Sequence, residues 1–206
     1  MNDLEKLMIS QHGIFPTKKE LMFYNSSEYT HSHWFRYAHG YKQAALMLIQ
    51  NVKDAKTYSE VEDLIFPIIY LFRHFTELLL KQIIVEYADF KGTPKNIPTI
   101  HNLDLLWKDV ETIINDLYFE NAKKYSTKIK SAFSKKDLAK LTSIIKRLHT
   151  RDVKSDTFRY PINTSGEQTL KTDFNASLEK IVLEIDETFS FLASIPFIMF
   201  LYKHVP

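Results

Sequence analysis

The chain has no cysteine, which excludes disulfides, thiol nucleophiles and cysteine-ligated zinc. Only 4 of its 206 residues are glycine. With frequent segments of helical period, that scarcity argues for an all-α fold over a sheet protein. Charge of one sign is also lacking: the formal net charge of +2 is too small to claim nucleic-acid binding from bulk charge, which leaves only a local basic patch open. Long apolar runs are missing too. The strongest membrane candidate, FSFLASIPFIMFLY from Phe189 to Tyr202, is shorter than the ~18–20 residues a span needs, and Pro196 interrupts it. It reads as a buried helix or an oligomer contact, so no membrane association is expected. Met1 to Glu20 mixes charges without an apolar signal-peptide core, and the expected location is the cytoplasm.

What is present is the balance of a soluble globular protein, 45% hydrophobic and 25% charged. The length suits one domain with a sizeable core, or one domain plus a small appendage. We divide it into a weakly periodic lead-in, residues 1–32, and a helical bundle, residues 33–206.

The most informative segment runs from Ser59 to Glu86, SEVEDLIFPIIYLFRHFTELLLKQIIVE. At the ~100° per residue of a helix, Asp63, Tyr70, Arg73, His74, Glu77 and Lys81 fall within roughly 100° of arc, with aliphatic and aromatic residues around the rest. A surface helix shows the reverse ratio. This helix is therefore expected to be central, with its charges paired or put to use, because an isolated buried charge costs several kcal/mol. Ser59 and Glu62 form a capping-box pattern at its start.

Before it, His33 to Asn51 reads as a helix with Trp34, Tyr37, Tyr41, Ala45 and Leu48 on its core face. After it, Lys91 to Thr99 holds two prolines and a glycine and reads as a loop delivering His101 to the next helix. The core positions of that helix are Leu103, Leu106, Val110, Ile113, Ile114 and Leu117. Asn121 to Phe133 suggests a short helix. Ser134, with Asp137 in the first turn, opens another whose seam is Leu138, Leu141, Ile145 and Leu148. Asp152 to Leu170 is polar and aperiodic, a long ordered loop or short β-excursion of the kind that is often functional. A last helix starts near Asp173 and carries Phe174, Leu178, Ile181, Ile185, Phe189 and Leu192, with Pro196 expected to kink or divide it. The expected architecture is an all-α, elaborated antiparallel four- to five-helix bundle with a long functional loop before the last helix.

Arg73, Glu77 and Lys81 follow one another at four-residue steps, so they can form a ladder of alternating charge. Such a ladder can simply close a core or stitch a dimer seam. Alternatively, Arg73 and Lys81 bind phosphate while His74 or Glu77 transfers protons. His101 either makes local contacts at its helix start or sits beside His74, where two histidines and a carboxylate would suffice for a metal or an acid–base pair. The metal signal is weak: His31/His33 and His74/Glu77 have only generic spacing, and no cofactor is indicated. In the loop, Asp156, Phe158, Arg159, Tyr160 and Pro161 suggest aromatic anchors around an arginine that faces a carboxylate or phosphate. Arg159 can equally fold back onto Glu77. Lys135, Lys136, Lys140, Lys146, Arg147, His149 and Arg151 make the preceding helix markedly positive, which is either a solvated face or a nucleic-acid contact.

Three phrases stand in order: Arg73-His74-x-x-Glu77-Leu78-x-Leu80-Lys81, His101-x-Leu103-x-x-Leu106-Trp107, and Asp156-x-Phe158-Arg159-Tyr160-Pro161. Over residues 34–200 the chain thereby resembles bacterial proteins of the HEPN type, the higher eukaryotes and prokaryotes nucleotide-binding superfamily. The resemblance implies an up-and-down helical bundle that forms a homodimer and binds RNA or a nucleotide. Many such proteins are metal-independent endoribonucleases of toxin–antitoxin, abortive-infection or CRISPR systems, so an antitoxin-like protein is a further candidate partner. The family signature places a histidine beyond the arginine after four to six intervening residues, and here Leu78, Leu79 and Leu80 occupy those positions. The chain thus resembles the divergent or non-catalytic branch at least as much as the nucleases. As a nuclease it would need His74 or His101 in the missing role, with Glu77 orienting, and Arg73, Lys81 and Arg159 on phosphate.

Overall fold

The computed structural model describes residues 33–53, 57–94, 96–120, 134–170 and 177–204. The lead-in at 1–32, His31, the short helix expected at 121–133 and the stretch holding Asp173 and Phe174 lie outside the described residues. Among the described residues are five α-helices: α1 (His33–Lys53), α2 (Tyr58–Lys91), α3 (Leu103–Ile114), α4 (Lys135–Arg151) and α5 (Leu178–His204). α3 runs on into a π-helical turn, Asn115–Glu120. The chain is an all-α helical bundle.

α2 lies at its centre, as its nearly all-round apolar surface requires. Ile68, Ile69, Phe72, Phe75, Leu79, Leu80 and Ile83 are all buried. α2 packs against α3 and α5, α3 against α4, and α4 against α5, which closes a ring of four helices. α4 runs antiparallel to its neighbours: Lys140 pairs with Glu187 and Arg147 with Glu184, while Trp107 near the start of α3 donates to Thr142. α2 instead runs in the same sense as α3 and α5. Glu77 meets His101 and Tyr87 meets Asp116, and on the other side Phe75 meets Phe189 and Asp89 meets Lys203. The connection from Gly92 to Asn102 therefore travels back along α2 before α3 begins. It can leave sharply because Gly92 takes φ 70°, the left-handed conformation in which glycine carries no Cβ penalty, and returns its N–H to Ala88 and Asp89. Burial, then the bond to Asp116, pushes the Tyr87 hydroxyl up to about 12, so at neutral pH it stays a protonated donor pinning the π-turn to α2.

Two expectations shift. The cap of α2 is Thr57 rather than Ser59: Thr57 has extended backbone and accepts from the Glu60 amide, whereas Ser59 is already helical and cannot turn its hydroxyl to the orphan amides. The core face of α1 is rotated. Ala38, Ala45, Ile49 and Val52 are buried, while Trp34, Tyr41 and Leu48 are only half-buried and Tyr37 is 64% exposed. The four buried residues form the innermost line of α1, and its rings pack beside it, Phe35 near Phe189 and Tyr41 against His74. Elsewhere the expected seams are buried among the described residues except for the half-buried Leu178, with Trp107 and Ile144 added to them. Ser134 and Asp137 form a reciprocal capping box. α5 continues through Pro196 undivided, with half of the Phe189–Tyr202 run buried in the core. Among the described residues no helix is long and apolar enough to cross a membrane.

Candidate functional site: a sealed ionic floor with an exposed rim

Because α3 and α4 are antiparallel, the start of α3 lies beside the end of α4, and α2 carries the middle of its polar stripe past both. Arg73 occupies the junction. It is 1% exposed and every part of its guanidinium is engaged. Nη2 donates to the His101 carbonyl (2.7 Å), Nη1 to Glu77 Oε2 (3.0 Å), and Nε to the Asp152 carbonyl (3.3 Å). Asp152 Oδ2 lies 3.1 Å from Nε as an ion pair off the N–H axis. One planar fork thus joins three separate segments, a task for which arginine is better suited than lysine. The position at the end of α4 also sets a cation where helix carbonyls carry partial negative charge.

Glu77 is the second node. Its Oε1 accepts from Lys81 Nζ (2.9 Å) and from His101 Nδ1 (2.8 Å). Burial alone would raise its pKa, but the hydrogen bonds from Lys81, His101 and Arg73 outweigh burial and hold the carboxyl below the usual range. A charged carboxylate only accepts, so Nδ1 of His101 carries the hydrogen, and in the neutral ring Nε2 bears the lone pair. The His101 side chain is 65% exposed, and its Nε2 makes no hydrogen bond among the described residues. Arg73, Lys81, Glu77 and Asp152 form a buried, charge-balanced floor, and His101 reaches from it into solvent.

His74 lies one turn toward the start of α2, half-buried between Tyr70, on which it stacks, and Tyr41, which meets it edge-on. Burial lowers its pKa; Glu77 pulls upward, and Arg73, Lys81 and Arg159 add to the lowering. His74 is accordingly neutral at neutral pH and is no standing proton donor. Asp63, the outermost member of the stripe, is exposed and apart from this network.

Asp152 was not apparent as a site residue from the sequence, yet it organises the loop. Its Oδ1 accepts from the amides of Asp156 (2.8 Å) and Thr157 (3.0 Å), and the Asp156 carbonyl accepts from the amides of Arg159 and Tyr160. The signal available was an aspartate immediately after a helix end, followed by Ser and Asp, the composition of a side-chain-capped turn. Asp156 contributes chiefly its backbone. Arg159 does not fold onto Glu77: it is exposed, with Nε on the Ser155 carbonyl and its guanidinium carbon 5.3 Å from the Tyr160 ring centroid. The basic edge on α4 is partly neutralised by α5, where Glu187 takes Lys140 and Glu184 takes Arg147. Among the described residues no group of three or more histidines and carboxylates is placed to hold a metal ion.

The structure therefore brings Arg73, Glu77, Lys81 and His101 into direct contact, sets His74 and Arg159 within electrostatic reach, and leaves Tyr160 on the outer edge. Chemically, the floor can hold a histidine in one tautomer, and the rim can offer a base, a guanidinium fork and aromatic faces. No protein-family model, curated protein or solved structure matches the chain.

Proposed function

We propose that this chain is a HEPN-like helical protein of a bacterial defence or stress system, binding RNA or a nucleotide at the rim and cleaving RNA without a metal. The observation that supports this reading best is the Glu77–His101 pair, a buried carboxylate orienting an exposed imidazole. His101 Nε2 takes the proton of a ribose 2′-hydroxyl as that oxygen bonds to phosphorus. The bond from phosphorus to the 5′-oxygen breaks, leaving a 2′,3′-cyclic phosphate, and solvent protonates the departing oxygen. Arg159 offsets the charge that develops on the phosphoryl oxygens. Arg73 and Lys81 are buried against Glu77, so in this mechanism they hold that carboxylate rather than the substrate.

Labelled single-stranded and structured RNAs incubated with the protein in EDTA test this. Cleavage by the wild type, lost in His101→Ala with an unchanged helical spectrum, is the expected result. Intact RNA with the wild type refutes it. A second reading is favoured by one observation: Arg73 has a protein partner for every part of its guanidinium, so the floor is complete without a ligand. In that reading the stripe is structural and the chain is a dimerisation or protein-interaction module. Glu77→Ala would then lower stability or disrupt the dimer, and no RNA would be cleaved.

A further inference from the structure

The loop after α4 is built to hold its tip still. Asp152 caps its first turn, and Phe158 is buried as an anchor. Thr169 closes the far side, its amide bonding the Pro161 carbonyl (3.1 Å) and its hydroxyl the Tyr160 carbonyl. Ile162 and Gln168 form an isolated antiparallel bridge. Ser155 takes φ 63°, an uncommon conformation for a residue with a Cβ, and its carbonyl receives Arg159 Nε.

These bonds present two side chains that the floor does not use. Arg159 has no carboxylate partner among the described residues, and beyond its Nε bond its terminal nitrogens make no hydrogen bond among them. Tyr160 is 55% exposed beside it. A fixed guanidinium fork matches phosphate oxygens in two-point fashion, and an exposed ring offers a stacking surface to any base. Adjacent residues supply both, on the scale of one nucleotide.

We infer that Arg159 and Tyr160 form a subsite for one unpaired nucleotide of single-stranded RNA, Arg159 taking a phosphate and Tyr160 stacking the base. This deepens the RNA-binding reading above and rests on it. A paired base has its faces covered by neighbours in the stack, so a duplex does not fit a protruding ring. An acidic peptide would engage the guanidinium but gain nothing from Tyr160. Arg159 is tied to the His101 end of the floor by a chain of bonds: its Nε is on the Ser155 carbonyl, the Ser155 amide is on the Asp152 carbonyl, and Arg73 joins that carbonyl to the one of His101.

The test uses the full chain and a fluorescent, unstructured 2′-O-methyl RNA of about ten nucleotides, which fills a channel of the usual single-strand site size and cannot be cleaved by 2′-hydroxyl attack. Binding is followed by anisotropy over a salt series. Tyr160→Ala should weaken binding about ten-fold without altering the salt slope, while Tyr160→Phe binds as the wild type. Arg159→Ala should reduce the slope of log affinity against log salt by about 0.7, the value for one phosphate contact on a single strand. Both side chains are exposed, so melting temperatures at the neutral pH of the assay should stay unchanged. No binding by the wild type, or wild-type binding by both alanine variants, overturns the subsite. A loss in Arg159→Ala with none in Tyr160→Ala also overturns it and points to an acidic ligand. Cleavage is read separately on unmodified RNA. Binding that depends on both residues while RNA stays intact keeps the subsite and refutes the nuclease. Cleavage unaffected by either alanine variant does the reverse.

Discussion

Arg73 and Arg159 each donate Nε to a carbonyl of the same loop, and there the likeness ends. Arg73 is sealed between two carboxylates and a helix start, with its charge balanced locally. Arg159 sits at the surface with no carboxylate facing it among the described residues. Desolvation makes the difference. A guanidinium taken out of water must have every N–H satisfied, and once it has, nothing is left for a ligand. An exposed one keeps its hydration and can exchange it for phosphate. Function is therefore better sought where the network ends, at His101 and Arg159, than at its most charged point.

Removing Arg73 should break the comparison most severely. Arg73→Ala strips Asp152 Oδ2 of its nearest cation and Glu77 of one of three donors while both carboxylates remain buried, at a cost of about 3–5 kcal/mol. Arg73→Lys should recover little, since a single ammonium cannot reach three segments. Urea denaturation measures both. A loss below about 1 kcal/mol would mean that the floor is open to water, and Arg73 would again be a phosphate ligand.

Asp152 separates charge from loop organisation, with a smaller effect. Asp152→Asn keeps an oxygen for the amides of Asp156 and Thr157 but loses the ion pair; Asp152→Ala loses both, at about 2–3 kcal/mol. Hydrogen exchange at those two amides should stay slow in the asparagine variant and become fast in the alanine variant. Equal exchange in the two would show that the turn stands without its cap.

These residues differ in how far the sequence reveals them. The Arg73–Glu77–Lys81 ladder was legible because four-residue spacing on a helix is local geometry, and the Ser134–Asp137 box for the same reason. The bundle and most buried seams follow from periodicity alone. The pairing of Arg73 with Asp152 was not legible, since it depends on α4 ending beside the start of α3, a relation between distant segments. The pairing of Arg159 with Glu77 failed on the same point: Arg73, Lys81 and His101 already supply the donors to Glu77, and Arg159 bonds the Ser155 carbonyl instead. On α1 the pattern of large rings misled, because the buried line runs through Ala38, Ala45, Ile49 and Val52 and the rings lie beside it. Thr57 and Ser59 are both good caps by type, and only backbone conformation distinguishes them.

The smallest effect tests whether the exposed rim senses the sealed floor. His74 has its pKa lowered below 6.5 in the folded chain, first by burial and then by Arg73, Lys81 and Arg159 against the pull of Glu77. Between pH 6.5 and that lower native value the unfolded chain binds more protons than the folded one. The contribution of His74 to stability is therefore complete above pH 6.5 and is lost as pH falls through the native value. Glu77, also lowered, adds a second loss only below its ordinary value of 4.5. Melting temperature followed downward from pH 8 should thus fall in two stages. His74→Phe keeps an aromatic ring against Tyr41 and Tyr70 and should abolish the first stage while leaving the second. Arg159→Ala should weaken the first stage slightly, because it removes one of the cations that keep His74 neutral. A first stage that persists in His74→Phe would assign it to another histidine and sever the link between rim and floor.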